Sequence, residues 1–133
     1  MSAETVLGFD YGERRLGVAV GQTVTRTAQA LVTLAMRDGQ PDWPTLARLV
    51  AEWRPARLVV GRPTSEDGSP HVMAPAIERF ARRLEGRYRL PVAFVDERLS
   101  SYAACEDPAS KRVGLDAVAA RNLLETWLSD NRA

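Results

Sequence analysis

The chain has 133 residues, 45% of them hydrophobic, and a net charge of +1. That length suits one domain with a real core. Near-neutrality gives no strong whole-protein pull toward nucleic acid or acidic surfaces. No run of eighteen apolar residues exists, so no transmembrane helix is expected. Met1-Ser2-Ala3-Glu4 lacks the basic and apolar parts of a signal peptide, and Cys105 is the only cysteine, which together lead us to expect a cytoplasmic protein. Of the 18 basic side chains only Lys111 is a lysine. An arginine-rich composition is explained first by genome base composition; the functional alternative is phosphate binding, for which a guanidinium offers paired donors.

Thr5–Tyr11 (TVLGFDY) and Arg15–Gly21 (RLGVAVG) read as strands joined by the short Gly12-Glu13-Arg14 linker, an antiparallel hairpin. Thr27–Leu34 reads as a third strand. Asp42–Arg54 carries Trp43, Leu46, Leu49, Val50 and Trp53 at helical spacing, with Pro44 near the start where proline is tolerated. Arg57–Gly61 is a short apolar strand, followed by the turn-rich segment RPTSEDGSP. Val72–Tyr88 predicts a second helix with Met73, Ile77, Phe80 and Leu84 inward. Pro91–Asp96 predicts a fifth strand, Ser100–Glu106 a short helical turn, and Asp107–Gly114 an exposed loop. Leu115–Ser129 predicts a third long helix facing the core with Leu115, Val118, Ala119, Leu123 and Trp127.

Strand, strand, strand, helix, strand, helix, strand, helix is an α/β order. A meander followed by right-handed crossovers gives a mixed five-stranded sheet, order 3-2-1-4-5 with strand 2 antiparallel, and helices on both faces. Sites in such sheets gather at the carboxyl ends of parallel strands. Asp10, the Gly61 loop and Asp96-Glu97 therefore meet at one edge. A carboxylate inside an apolar strand is costly unless paired or metal-bound. Two readings of Asp10 stand at this point: a metal ligand, or an ion pair with Arg15 or Arg98.

GFDYGERRLGVAVG, VVGRPTSEDGS, VDERLSSYAA and LDAVAARNLLETWL, in this order and spacing, resemble the YqgF family of Holliday junction resolvases or pre-16S rRNA nucleases, within the RNase H-like superfamily. The resemblance spans almost the whole chain. It implies an RNase H-like fold and a hydrolase that cuts phosphodiester bonds with Asp10, Glu97 and Asp116, holding Mg2+ or Mn2+, two ions by the usual logic of such sites. Hard cations want oxygen ligands and keep several waters, so no histidine or cysteine cluster is required. The competing role for Asp116 is helix capping. His71 reads as a neighbour of a helix cap and Cys105 as a small core residue. The chain departs from the family pattern at Arg62, at Thr64-Ser65-Glu66 and in a shortened segment between Glu97 and Asp116.

Arg79 and Arg83 recur at four-residue spacing with Arg87, and Arg82 lies beside them. With Arg14, Arg15, Arg62, Arg98, Lys111 and Arg112 they are the candidate contacts to a nucleic-acid backbone; the alternative is a solvated helix face paired with Glu78 and Glu85. The resemblance implies precursor ribosomal RNA as substrate, processed at the 5′ end of 16S rRNA, or branched DNA. Junction cutting requires two coordinated sites and hence a homodimer, and no dimer surface is legible in the sequence. A phosphotransferase reading is disfavoured because its strand-one Asp-x-Gly works between two such domains and this chain has one. A non-catalytic nucleic-acid-binding factor is the remaining rival.

Overall fold

The computed structural model describes residues 4–63, 71–96 and 114–130. Nine elements follow in order: β1 (Thr5–Tyr11), β2 (Arg15–Gln22), β3 (Thr27–Arg37), β4 (Gln40–Pro41), α1 (Trp43–Trp53), β5 (Arg57–Arg62), α2 (Ala74–Tyr88), β6 (Val92–Asp96) and α3 (Leu115–Asp130). The strands form one sheet in the order β4-β3-β2-β1-β5-β6. β2 is antiparallel to β1 and β3, and β5 is parallel to both β1 and β6. The five long strands thus stand in the expected order. Among the described residues the strand count is six rather than five, because β3 runs on past Leu34 and turns back. Asp38 and Gly39 both take positive φ, 53° and 76°, which is the geometry of a tight hairpin turn. Tyr11 Oη donates to the Gly39 carbonyl at 3.2 Å and ties that turn to β1.

Period-two alternation sends each strand's residues to two different layers. Leu7, Phe9 and Tyr11 of β1 join Leu16, Val18 and Val20 of β2 in a core with Leu46 of α1 and Ile77, Phe80 and Leu84 of α2. Phe80 is its centre, edge-on to Phe9 at 5.9 Å and 5.2 Å from the Tyr11 ring. Val6, Ala19 and Val59 face the other way, onto Ala120, Leu123, Leu124, Trp127 and Leu128 of α3. Helices therefore cover both faces. No helix among the described residues is long and apolar enough to cross a membrane.

Local chemistry explains the helix limits. Asp42 caps α1, accepting from the Thr45 amide at 3.3 Å and the Thr45 hydroxyl at 2.7 Å, and Pro44 lies in the first turn. These bonds, the hydroxyl's first, hold the Asp42 carboxyl below its ordinary pKa. Arg54 ends the helix in the left-handed conformation at φ 46°. Just before α2, His71 Nδ1 accepts from the amide of the N-cap residue Met73 at 3.1 Å, so it neighbours the cap, as expected, and bonds to it. Val72, expected inside that helix, precedes it and is 86% exposed.

Candidate active site

Asp10, on β1, lies in the alternation that faces α3. Its cross-strand partner is Gly17 of β2, and the partner of Gly17 is Thr33 of β3. Asp10, Gly17 and Thr33 therefore form a row across three strands on one face. The first turn of α3 sits on this row. A Cβ placed on Gly17 would lie 1.8 Å from the Asp116 carbonyl oxygen, so only a residue without a side chain admits the helix there. The absence of one atom group on β2 is what lets Asp116 come down beside the position opposite Asp10.

The same turn is fixed from the third strand. The Val118 amide makes the first helical bond, 3.3 Å to the Gly114 carbonyl, which puts Gly114 at the N-cap. A cap residue normally offers a side-chain oxygen to an amide two or three residues on. Gly114 has none, and Thr33 supplies it: the Ala117 amide donates to Thr33 Oγ1 at 3.2 Å, across 84 residues of chain. Gly114 takes φ +94°, and a Cβ there would come within 2.6 Å of that hydroxyl. Helix capping, the rival role for Asp116, is thus performed for the Ala117 amide by Thr33. The Asp116 carboxylate instead accepts from Arg15 Nε at 2.8 Å through Oδ2. Its place in the first turn also sets a negative charge where the helix dipole favours one.

Arg15 was weighed as a counter-ion for Asp10; the structure pairs it with Asp116. Arg15 and Gly17 are two apart on β2 and share the α3 face. The guanidinium consequently lies on the same strand as the partner of Asp10. Arg14 is exposed in the β1–β2 turn, and its carbonyl accepts from the Met36 amide at 2.9 Å.

The three parallel strands finish at this edge. Phe9 is level with Val60, and Val60 with Phe94. β6 ends at Asp96, opposite Arg62, one residue before Glu97 in the chain. Glu97, Arg98, Lys111, Arg112 and Cys105, with the expected helical turn and loop around them, lie outside the described residues. Among the described residues no group of three or more His, Cys, Asp or Glu side chains that could hold a metal ion occurs. The pair that is described, Asp10 and Asp116, offers carboxylate oxygens only, a donor set that suits a hard divalent cation.

The remaining arginines are dispersed. Arg62 alternates onto the α1–α2 face, its guanidinium 4.6 Å from the Phe94 ring centre. Arg79 and Arg83 are exposed on α2, a helix on the face of the sheet opposite α3. Arg87, the third member of that spacing, stacks on Trp43 at 4.0 Å. Arg82 lines a shallow groove with Glu78, Glu85, Val92 and Phe94. Sequence reasoning missed Thr33, since a threonine in a strand reads as an ordinary strand former.

The architecture, a meander continued by crossover-linked parallel strands with an acidic edge, is that of the RNase H-like resolvases. A TM-score of 0.60 relates it to the Fowlpox virus resolvase, solved with Holliday junction DNA, at 10% identity over 95% of this chain and 97% of that one. For T. thermophilus RuvC, solved with a Holliday junction substrate, the TM-score is 0.53 at 14% identity, over 96% and 94% of the two chains. Residues 4–130 match the RuvX family, described as Holliday junction resolvase, and the chain belongs to that family. It is 47% identical to the Azotobacter vinelandii protein named "Putative pre-16S rRNA nuclease", over 96% of this chain and 95% of that one. A Pseudomonas putida protein of the same name is 45% identical over 95% of both.

Proposed function

We propose that this chain is a divalent-metal-dependent endonuclease that hydrolyses phosphodiester bonds in precursor 16S rRNA, with Asp10, Glu97 and Asp116 as its carboxylates. The observation that carries the reading is the docking of the α3 first turn on the Asp10–Gly17–Thr33 row, which puts two acidic residues of distant sequence on one face of the sheet. Two carboxylates on one face carry like charge, which a bound cation would offset.

Asp10 and Asp116 would hold Mg2+ or Mn2+ with hard oxygen donors, and Glu97 completes the set by its match to the family motif. When bound, such an ion supplies Lewis-acid activation of water and charge neutralisation at the phosphate. Around it, Thr33 holds the α3 turn and so fixes the backbone that carries Asp116. Arg15 puts positive charge beside Asp116, and Arg14, exposed and next to it in the chain, adds a second charge for a phosphate backbone to meet. Arg98, Lys111 and Arg112 belong to the same proposal through their places in the chain. Arg62, Arg79 and Arg83 would meet only substrate that reaches the other face of the sheet.

The family description favours a second reading, cleavage of four-way DNA junctions, which would require a homodimer. The two are separated by testing Mn2+-dependent cleavage side by side on a precursor 16S rRNA fragment, a four-way DNA junction and an unstructured single strand of each. The rRNA fragment is expected to be cut at a defined position and the junction not. Symmetric junction cutting with intact rRNA would transfer the assignment to recombination, and Mn2+ binding with no cleavage of any substrate would leave a binding factor.

A further inference from the structure

Arg15 stands beside Asp116, in contact with its carboxylate, and its exposure is uneven with that of its partner. The guanidinium side chain is 63% exposed, whereas the Asp116 side chain is 27% exposed. The carboxylate is thus held close to the protein, while the arginine reaches to it from solvent. An ion pair whose arginine is this exposed contributes little to stability. It is weak enough to yield to a doubly charged cation, and it occupies Asp116 Oδ2, one of the oxygens a cation would use.

We propose that Arg15 is an exchangeable counter-ion: it pairs with Asp116 in the cation-free protein, is displaced by a divalent cation, and is thereby released to the phosphate of the substrate. The inference rests on the reading of Asp10 and Asp116 as cation ligands. Arg15 lies two residues from Gly17, the cross-strand partner of Asp10, on the face that carries both acids. In that place a positive charge offsets the two carboxylates when no cation is bound. It is also a charge that must move once a cation arrives, because a guanidinium and a divalent ion repel each other at one carboxylate. Released, it keeps a planar fork of donors that suits phosphate, and its exposure lets it turn outward without disturbing the core. Arg15 is accordingly a positioning residue that links cation binding to phosphate binding.

The test follows the Arg15 Nε–H resonance of the full-length protein by 15N NMR, assigned by its loss in Arg15→Gln, as Mg2+ is added without substrate. The expected result is a bonded Nε–H signal in chelator that shifts or is lost as the Asp116 backbone amide shifts. Arg15→Gln should bind Mg2+ about two- to fivefold more tightly by calorimetry, the range that an exposed pair of this strength can account for. It should also lose most of the gain in affinity for a labelled single-stranded RNA that Ca2+ confers on the parent protein. A changed field alone would tighten Mg2+ binding without moving the Nε–H. An Asp116 amide that responds to Mg2+ while the Arg15 Nε–H does not would overturn the exchange and leave the nuclease reading intact. Mg2+ that moves neither Asp10 nor Asp116 would overturn both.

Discussion

The two faces of the sheet are built by opposite means. On the α1–α2 face, Leu7, Phe9, Tyr11 and Leu16 meet Phe80 and its neighbours, and large side chains hold the helices off the sheet. On the α3 face the strands present Gly8, Gly17, Ala19 and Gly21, and the helix comes close: its backbone meets Gly17, and Leu124 packs directly over Gly8 and Gly21. Large interlocking side chains contribute stability and tolerate small shifts. Backbone laid on backbone contributes less buried area per residue but fixes position tightly. Asp10 and Asp116 are on the second face. Precision and stability have been assigned to different sides of one sheet, and substitutions should separate them.

The widest separation is expected between Phe80→Ala and Gly17→Ala. Phe80, 1% exposed, should cost about 3–5 kcal/mol of folding stability when truncated. Cleavage measured well below the lowered melting temperature should stay within about twofold of the parent, since hydrophobic truncation remote from the site leaves its geometry in place. Gly17→Ala should cost less stability, about 1–3 kcal/mol. Its kcat should nevertheless fall about a hundredfold, because the added methyl pushes the Asp116 backbone away and small misplacements of reacting groups are costly. Equal losses of kcat in the two variants would dissolve the division between the faces.

A finer cut is Thr33→Val, which keeps shape and removes the hydroxyl that the Ala117 amide donates to. About 1–2 kcal/mol of stability should be lost, the cost of leaving that amide unpaired. The kcat should drop by about tenfold with little change in KM, as expected of a residue that holds a ligand-bearing turn. Restoration by Thr33→Ser, which returns the hydroxyl, would tie the loss to the bond; failure of serine to restore it would point to packing instead.

The parts of this arrangement that the sequence reveals are those with local signals. Helix α1 is legible to within one residue at each end, because Asp42, Pro44 and the spacing of Leu46, Leu49 and Val50 are local signals. Asp10 is legible because a carboxylate in an apolar strand demands an explanation. The β4 strand was not expected although Asp38-Gly39 is a hairpin signal; two residues are too few to show a period. Leu115 was expected in the core and is 49% exposed. Helix α3 carries apolar residues widely around its circumference, so periodicity cannot orient it. Its orientation is set by Gly17 and Thr33, long-range contacts that no window of sequence contains. The arginine spacing on α2 was legible as a helix face, but which side of the sheet that face would occupy depends on crossover geometry. The pairing of Arg15 with Asp116 was not legible, since its members lie 101 residues apart.

The small-residue face is proposed to carry a cation-binding catalytic centre. The most direct measurement is thermal unfolding of Asp10→Asn with and without Mn2+, alongside cleavage of the rRNA fragment. The parent protein should melt higher in Mn2+, since a ligand of the native state stabilises it. Asp10→Asn should fold, melt at a similar or slightly higher temperature than the parent in chelator, lose most of the Mn2+ shift, and show no cleavage. A variant that has lost about 3–5 kcal/mol of stability, as the breaking of a buried ion pair would cost, yet still responds to Mn2+ and still cleaves would contradict the account.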